Sequence, residues 1–269
     1  MKKYKYLFST YKNKEFPQNY TSSIKDLLDE NWIYDESNPE YIFSLGGDGT
    51  FLYTFKQYYN KQVKLIGINA GTLGFYTAGS YEEIKNNPNF LSFLTLSEKY
   101  FHPFILLVDL YDSDNNLLET YPILNDLVLQ NPFTLKGKIL INNLHFLDYA
   151  GTGIIFCTPT GSTGINKSNN GPIFSSLTSN IFSLSFILPI NNKKYWNIIN
   201  PFLFDNEKEI TWIIDENDET WELICDGNLI KSDKLKDTKY IKIKLIKATS
   251  EIYMSYKFED VLKKLKNCF

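Results

Sequence analysis

The residues best suited to chemistry stand in the stretch SLGGDGTFL, Ser44 to Leu52, where three glycines surround one carboxylate. The stretch follows a short apolar run and precedes a segment with helical spacing. Glycines at such a turn let the backbone approach a ligand closely, and the first N–H groups of the helix attract phosphate. Asp48 is unusual there, since a carboxylate repels phosphate unless it accepts a proton or binds a divalent cation. The alternative is that Asp48 only caps the helix.

Two further segments could contact a polar ligand. The loop CTPTGSTGINKSNNGP, Cys157 to Pro172, follows the strand-like run GIIF and is dense in hydroxyls and glycines. A hydrophilic hairpin tip is the alternative explanation for it. Asn125 and Asp126 adjoin the strand-like run DLVLQ, and an amide beside an acid can bind an adenine edge and ribose hydroxyls. The Asn-Asp pair is also ordinary in turns.

The first third of the chain alternates strand-like and helix-like segments. The strand-like runs are YKYLFST, YIFSL and VKLIGIN, and the helical ones are SSIKDLLDENW, TFLYTFKQYYN and SYEEIKNN. Ser22 or Ser23 is the expected N-cap of the first helix. AGTLGFY is expected to be a loop. This βαβα order predicts a parallel sheet with helices on both faces.

Beyond about Leu96 the pattern changes to short strand-like runs separated by turn residues. These runs are FILLVDLY, LETYPIL, DLVLQ, KGKILI, LHFLDYA, IFSLSFILP, EITWIID, WELICDG and KYIKIKLIKA. The chain closes with FEDVLKKLKNCF, an amphipathic helix that we expect to pack on the first domain. We therefore predict an α/β domain over residues 1–98 plus 250–269, which carries the GGDGT loop, and a β-rich domain over residues 99–249.

Composition narrows the function classes. The net charge is −3, which argues against a nucleic-acid partner, and every strong cation is a lysine, so any phosphate is held without a guanidinium fork. No apolar segment is long enough for a signal peptide or a membrane span, and the three cysteines are scattered. We expect a cytoplasmic protein with free thiols and no membrane partner. With only two histidines, His102 and His145, a Ser-His-Asp triad or a histidine-rich metal site is not expected.

Together, GGDGT, the Asn-acid pair and TPTGST followed by GP resemble the NAD kinases over nearly the whole chain. GINAGTLGFY, Gly67 to Tyr76, also resembles a loop of that family. GGDG alone is shared with phosphofructokinases and with diacylglycerol and sphingosine kinases, whereas TPTGST is particular to NAD kinases. The resemblance implies an α/β plus all-β fold. A Rossmann-like or phosphofructokinase-like parallel-sheet domain would precede a β-sandwich-like domain, and the C-terminal helix would return to the first domain. It also implies a homodimer or homotetramer.

The implied activity is phosphoryl transfer from ATP or polyphosphate to the 2′-hydroxyl of the adenosine ribose of NAD, which gives NADP. Mg²⁺ or another divalent cation would accompany ATP, and no side chain is assigned as a metal ligand. Asp48 would act at the reacting hydroxyl, where a carboxylate within about 3 Å is the available base. The resemblance implies these substrate-binding residues: Gly46, Gly47, Gly49 and Thr50 at phosphates; Phe75 near adenine; Asn125 and Asp126 at the adenosine or a ribose; Thr152, Thr158, Thr160, Gly161, Ser162, Thr163, Gly164, Ile165 and Ser168 along NAD; and Asp226 near the ligand.

Three departures from the family pattern affect the NAD contacts rather than the reaction. The usual Asn-Glu pair is Asn-Asp here, Thr152 replaces the acid of a Gly-Asp-Gly, and Ile165 replaces an aromatic residue. Two other functions compete with NAD phosphorylation. One is a GGDGT-type lipid kinase, which would lack TPTGST, and the other is a non-catalytic NAD(P)-binding sensor, against which the intact Asp48 argues.

Overall fold

The structure is a computed structural model that describes residues 3–11, 18–70, 74–87, 89–96, 99–195, 198–216, 220–254 and 258–268. The chain divides into two compact units. Unit 1 comprises Met1–Pro103 and Ala248–Phe269, and unit 2 comprises Phe104–Lys247. The sequence had placed these two boundaries at residues 98/99 and 249/250.

The N-terminal part of unit 1 alternates strands and helices as the sequence predicts. Its elements are β1 (Tyr4–Ser9), α1 (Gln18–Leu27), β2 (Trp32–Tyr34), β3 (Tyr41–Gly46), α2 (Asp48–Tyr58), β4 (Lys64–Asn69), β5 (Thr77–Ser80), α3 (Tyr81–Lys85), α4 (Phe90–Leu94) and β6 (Tyr100–Phe101). Helix α1 begins before Ser22 and Ser23, so the prediction that either serine caps it is wrong. Serine is tolerated inside a helix as well as at its start, which makes it a weak boundary signal.

Unit 2 is antiparallel. Its elements are β7 (Phe104–Tyr111), β8 (Leu117–Ile123), β9 (Asp126–Ile141), β10 (Leu144–Cys157), α5 (Ile165–Ser168), β11 (Ile181–Ile187), β12 (Phe202–Asp205), β13 (Glu209–Ile214), β14 (Glu222–Cys225), β15 (Asn228–Leu229), α6 (Lys234–Asp237) and β16 (Tyr240–Lys247). The strands run in the order β12-β11-β10-β9-β13-β16-β7-β8, and β14 pairs with both β9 and β15. Side chains of these strands enclose one core around Trp212, Tyr149, Phe156 and Phe182, all fully buried.

Two long strands join runs that the sequence had separated. DLVLQ and KGKILI form the single strand β9, and LHFLDYA and GIIF form β10. The N-terminal half of β9 pairs with β14 and its C-terminal half pairs with β13. A long strand is therefore required for β9 to pair with both of these shorter strands. The β9–β10 hairpin turns at Asn142 and Asn143, whose φ angles of 49° and 64° are the left-handed values that the predicted turn requires.

After unit 2 the chain re-enters unit 1 as β17 (Glu251–Tyr253) and α7 (Phe258–Asn267). Strand β17 pairs in parallel with β4 and antiparallel with β6, which gives the order β2-β1-β3-β4-β17-β6, with β5 on the C-terminal end of β4. The return of the C-terminal helix to the first domain is confirmed, whereas the added strand β17 was not predicted. Among the described residues, no helix combines the length and the apolar character needed to cross a bilayer.

Candidate active site

The GGDGT loop joins β3 to α2 at the carboxyl edge of the parallel sheet. Strand β3 ends at Gly46, Gly47 occupies the N-cap position, and Asp48 is the first residue of α2. The alternative that Asp48 caps the helix is therefore wrong. No side chain caps α2, so its first N–H groups remain available to an anion such as phosphate.

The three glycines of this loop differ in whether the fold could accept a larger residue in their place. Gly46 has a φ of +153°, and a Cβ there would overlap the side chain of Thr50. A Cβ on Gly47 or on Gly49 would meet no other atom within 4 Å. The fold thus requires glycine at position 46 alone, and the open space beside the other two is room for a ligand.

This difference gives a prediction for Gly49→Ala. The variant should unfold at an equal or higher temperature, because alanine favours a helix by about 1 kcal/mol over glycine. Its KM for ATP should nevertheless rise about tenfold, since the methyl group enters the space that phosphate would use. Gly46→Ala is the contrasting variant, and strain should cost it about 1–3 kcal/mol of folding stability. A Gly49→Ala variant with unchanged KM values for ATP and NAD would contradict this account of the loop.

The carboxylate of Asp48 is held by the segment that precedes β5. Its Oδ2 accepts a hydrogen bond from the Phe75 N–H at 3.2 Å, and its Oδ1 accepts one from the Tyr76 N–H at 3.0 Å. The Tyr76 ring also stacks on Phe51 of α2, with ring centres 5.0 Å apart and planes 2° from parallel. Each carboxylate oxygen keeps capacity to accept a further hydrogen. Asp48 is thus a fixed acceptor at the start of a helix.

In unit 2 the TPTGST segment is folded onto the turn before β9. The hydroxyls of Thr158 and Thr160 both donate to the Leu124 carbonyl. The Ser162 hydroxyl donates to the Pro159 carbonyl at 3.0 Å. All three side chains are buried, and their hydroxyl hydrogens are used in hydrogen bonds within unit 2. The loop connects the antiparallel neighbours β10 and β11, as the hairpin alternative has it, but its buried hydroxyls and the helix α5 within it distinguish it from an exposed hydrophilic tip.

Glycine makes the close packing of this loop possible. A Cβ on Gly161 would overlap the backbone of Asn125, and a Cβ on Gly171 would overlap the amide of Asn166. Asn166 is fully buried and donates from Nδ2 to the Pro172 carbonyl at 2.8 Å. The structure therefore brings the Asn-acid pair and TPTGST together within unit 2.

Asp226 stabilises the turn that carries Asn125 and Asp126. Its carboxylate accepts hydrogen bonds from the backbone N–H groups of Leu124 at 3.1 Å, Asn125 at 2.6 Å and Asp126 at 3.3 Å. Its own N–H donates to the Asp126 carbonyl at 2.9 Å. Asp226 sits at a φ of 48°, in the turn between β14 and β15. These contacts make Asp226 a support for the turn, and its assignment near the ligand stays a prediction.

Asp126 is the acid of unit 2 with the most unusual environment. Its side chain is only 7% exposed. A Cβ on Gly164 of the TPTGST loop would lie 3.1 Å from Asp126 Oδ2. Burial, and secondarily the negative charge of Asp226, raise the pKa of the Asp126 carboxyl to about 7. This carboxyl therefore gains and loses its proton in the neutral range.

The raised pKa predicts a pH-dependent stability. The folded chain keeps the Asp126 proton to a higher pH than the unfolded chain does. The stabilising contribution of this proton to the free energy of unfolding is therefore complete below about pH 4 and is lost as the pH rises through about 7. Asp126→Asn removes the effect. The melting temperature of Asp126→Asn minus that of the wild type should therefore grow between about pH 4 and 7 and then stay constant. Asp233→Asn, at a side chain 97% exposed, should show no such trend. A flat difference for Asp126→Asn would disprove the raised pKa.

The remaining predicted residues occupy less enclosed positions. Thr152 lies in β10 between Gly151 and Gly153, where the pairing with β9 shifts register. The Tyr149 hydroxyl donates to the Gly153 carbonyl at 2.6 Å beside this bulge. Thr163 is half-buried, and three residues are exposed around α5: Gly164, Ile165 and Ser168. In unit 1, Phe75 is half-buried, with Lys264 Nζ 5.8 Å from its ring centre. The loop residues 71–73 of GINAGTLGFY lie outside the described residues.

Comparisons with known proteins identify the class to which this fold belongs. A family model for the ATP-NAD kinase N-terminal domain matches residues 8–89, which include the GGDGT loop. The structure is similar to that of yeast NADH kinase complexed with NADH, with a TM-score of 0.78 at 18% identity over 99% of this chain and 87% of that chain. It is also similar to an NAD kinase from Archaeoglobus fulgidus in complex with ATP, with a TM-score of 0.72 at 20% identity over 97% and 98% of the two chains. These likenesses show that the fold is that of the NAD and NADH kinases.

Two bacterial NAD kinases are more similar to this chain in sequence than these two solved structures are. The NAD kinase of Ureaplasma parvum is 33% identical over 259 residues, which cover 94% of this chain and 91% of the relative. That of Limosilactobacillus reuteri is 31% identical over 243 residues, covering 88% and 87%. The chain belongs to the NAD kinase family.

Two residues of these units were missed by the sequence reasoning. Lys264 of α7 contacts the segment that holds Asp48, and Asn166 closes the TPTGST loop. Lys264 stands three residues after the buried Val261, on the apolar face of a helix, and this placement was the available signal. Asn166 gave no signal, since asparagine is abundant throughout the sequence.

Proposed function

We propose that this protein is an NAD kinase that transfers a phosphoryl group from ATP, or from polyphosphate, to the 2′-hydroxyl of the adenosine ribose of NAD, giving NADP. The observation that carries the proposal is the carboxylate of Asp48. It stands at the uncapped start of α2 and is held by two backbone N–H groups. Membership of the NAD kinase family supports the same reaction.

Asp48 is the proposed general base. As the bond from the ribose oxygen to the γ-phosphorus forms, the bond from that phosphorus to the ADP oxygen breaks, and the hydroxyl proton passes to Asp48. Phosphoryl transfer has a loose transition state, so positioning and charge stabilisation supply most of the acceleration. The bonds from Phe75 and Tyr76 keep the carboxylate in one orientation before the substrate arrives. A fixed base loses little entropy on reaching the transition state.

The phosphates are assigned to the GGDGT loop and the cation to ATP. Gly47 and Gly49 leave open space beside the uncapped N–H groups of α2, while Thr50 packs under Gly46. In the part of the chain that the structure describes, no group of three His, Cys, Asp or Glu side chains is arranged to hold a metal ion. The cation is assigned to ATP because Mg²⁺ commonly binds through one or two carboxylates plus substrate phosphates and offsets their charge. Asp48 is the carboxylate of that loop.

NAD recognition is assigned to the Asn125 turn and the TPTGST loop. The half-buried Asn125 amide offers both a donor and an acceptor, which a heterocycle edge requires. Asp126 would accept from ribose hydroxyls. The hydroxyls of Thr158, Thr160 and Ser162 donate to backbone carbonyls. We therefore assign these residues to shaping the NAD site rather than to direct contact with NAD.

Phe75 is assigned to packing near adenine. Thr152, Thr163, Ile165 and Ser168 remain candidates for the rest of NAD. We further propose a cytoplasmic homodimer or homotetramer, in line with the resemblance and the scattered free cysteines.

Activity should depend on a divalent cation. Because the chain has no arginine, the triphosphate charge must be met by backbone N–H groups, lysines and the metal. EDTA should abolish NADP formation, and excess Mg²⁺ or Mn²⁺ should restore it. Thermal unfolding in EDTA should be unchanged, because the cation is assigned to ATP rather than to the folded chain. Full turnover in a metal-free assay would contradict this account of the phosphate site.

One assay separates the proposed function from its alternatives, to which the comparisons give no support. The protein is incubated with ATP, Mg²⁺ and NAD, and NADP is measured with an NADP-specific dehydrogenase. A GGDGT-type lipid kinase would instead consume ATP only with diacylglycerol or sphingosine, and a sensor would bind NAD(P) without turnover. NADP formation above a no-enzyme control supports the proposal, and either other outcome rejects it.

A further inference from the structure

Lys264 is a lysine in an unusual position. It lies on α7, near the C-terminus, and its Nζ donates to the backbone carbonyls of Gly74 at 3.4 Å, Phe75 and Thr77 at 3.2 Å. Three carbonyl partners satisfy the three hydrogens of an ammonium group. Burial lowers the pKa of this ammonium, while the nearby charge of Asp48 opposes that shift. The Lys264 side chain is thus held inside unit 1 by three carbonyl oxygens, with the negative charge of Asp48 nearby.

The segment that Lys264 holds is the one that holds Asp48. The peptide group between Gly74 and Phe75 accepts from Lys264 through its carbonyl and donates to Asp48 through its N–H. The next peptide group, between Phe75 and Tyr76, does the same. Two consecutive peptide groups therefore connect one ammonium to the two oxygens of one carboxylate. Hydrogen bonds in such a chain polarise one another, so each N–H becomes a better donor to Asp48.

We propose that Lys264 is a positioning residue for phosphoryl transfer, which orients Asp48 through the two peptide groups between Gly74 and Tyr76. The proposal rests on the proposed function of Asp48 as the base. It differs from a purely structural role, in which Lys264 would only dock α7 on unit 1. A docking residue would affect stability, whereas a positioning residue affects kcat through Asp48.

The kinetic test compares Lys264→Met with Lys264→Arg and with Lys263→Met. The neighbouring Lys263 has a side chain 78% exposed and serves as the matched control. Lys264→Met should lower kcat about tenfold or more while changing the KM for NAD and for ATP by less than about threefold. Lys264→Arg, which keeps a cation and several donors, should recover part of kcat. Lys263→Met should match the wild type.

A double variant tests whether the loss of kcat in Lys264→Met depends on Asp48. If it does, Asp48→Asn combined with Lys264→Met should be no slower than Asp48→Asn alone, because the base that Lys264 positions is already gone. If the two losses multiply, Lys264 acts independently of Asp48 and the proposal is overturned. Unchanged kcat in Lys264→Met would overturn it equally.

A second readout needs no enzymatic activity, and so it stays decisive if the proposed function fails. In Lys264→Met, amide hydrogen exchange at Phe75 and Tyr76 should accelerate about tenfold or more, while exchange within β4 stays at the wild-type rate. Wild-type exchange at both amides would overturn the proposal. If Lys264→Met does not fold, Lys264→Gln replaces it, since its amide can still donate to two carbonyls. The amide lacks the third donor and the charge that polarises the two peptide groups, so kcat should still fall and exchange at Phe75 and Tyr76 should still accelerate. Wild-type exchange and kcat in Lys264→Gln would reject the positioning role.

Discussion

Replacing Asp48 with Asn is expected to lower kcat for NADP formation by about two to four orders of magnitude, the usual loss when a general base is removed. Asparagine keeps the shape of the side chain but cannot take the hydroxyl proton. Its Oδ1 can still accept from the Tyr76 N–H, whereas its amino group faces the Phe75 N–H, where Asp48 accepts. The KM for NAD should therefore change little. The free energy of unfolding should fall by about 1.5–3 kcal/mol, the contribution of one hydrogen bond to a charged group.

A second substitution at the same position separates the base from the hydrogen bonds. Asp48→Ala loses both backbone bonds as well as the carboxylate, so it should be less stable than Asp48→Asn yet have a similarly low kcat. Steady-state kinetics and thermal unfolding of both variants make the comparison. Near wild-type turnover in Asp48→Asn would show that the carboxylate is not the base.

The second large effect is expected at Asp226. Asp226→Asn keeps a residue that tolerates the left-handed backbone at φ 48°. It removes the charge that accepts from the N–H groups of Leu124, Asn125 and Asp126. Hydrogen bonds to a charged group contribute about 1.5–3 kcal/mol each, so the unfolding free energy should fall by about 2–4 kcal/mol. The KM for NAD should rise about tenfold or more, because the turn that carries Asn125 loses its support.

Asp226 lies in unit 2 and has no part in the proposed chemistry, so kcat at saturating NAD should change far less than KM. Thr152→Ala is a useful comparison, since Thr152 is half-buried in a bulge of β10. It should raise the KM for NAD less than Asp226→Asn does. The reverse order would mean that the Asn125 turn is not the part of unit 2 that recognises NAD.

The sequence predicted the two-part fold because its signals were local. The apolar run YIFSL followed by GGDGT was enough to predict a buried strand, a glycine turn and a helix, and β3 and α2 confirm it. The clean alternation in KYIKIKLIKA likewise predicted β16. Strand β17 is only three residues long, and its place beside β4 depends on pairing with a strand far away in the sequence. No local pattern could reveal it.

The residue types of the candidate site were predicted from the sequence, whereas the hydrogen-bond partners of its side chains were not. Hydroxyls crowded into TPTGST suggested ligand contacts, yet those of Thr158 and Thr160 donate to the Leu124 carbonyl. The choice between a ligand and a backbone partner depends on which carbonyl lies nearby, and that is a tertiary fact. The same holds for Asp226, whose three backbone donors lie about a hundred positions earlier in the chain.

The most direct test of the central claim is the fate of the γ-phosphoryl group. The protein is incubated with Mg²⁺, NAD and ATP labelled in the γ-phosphate, and the products are identified by chromatography and phosphorus NMR. We predict one labelled phosphomonoester on the 2′-oxygen of the adenosine ribose for each unlabelled ADP formed, and both products should form about two to four orders of magnitude more slowly with Asp48→Asn. Label released as inorganic phosphate, or attached to any other hydroxyl, would contradict the assignment of this protein as an NAD kinase.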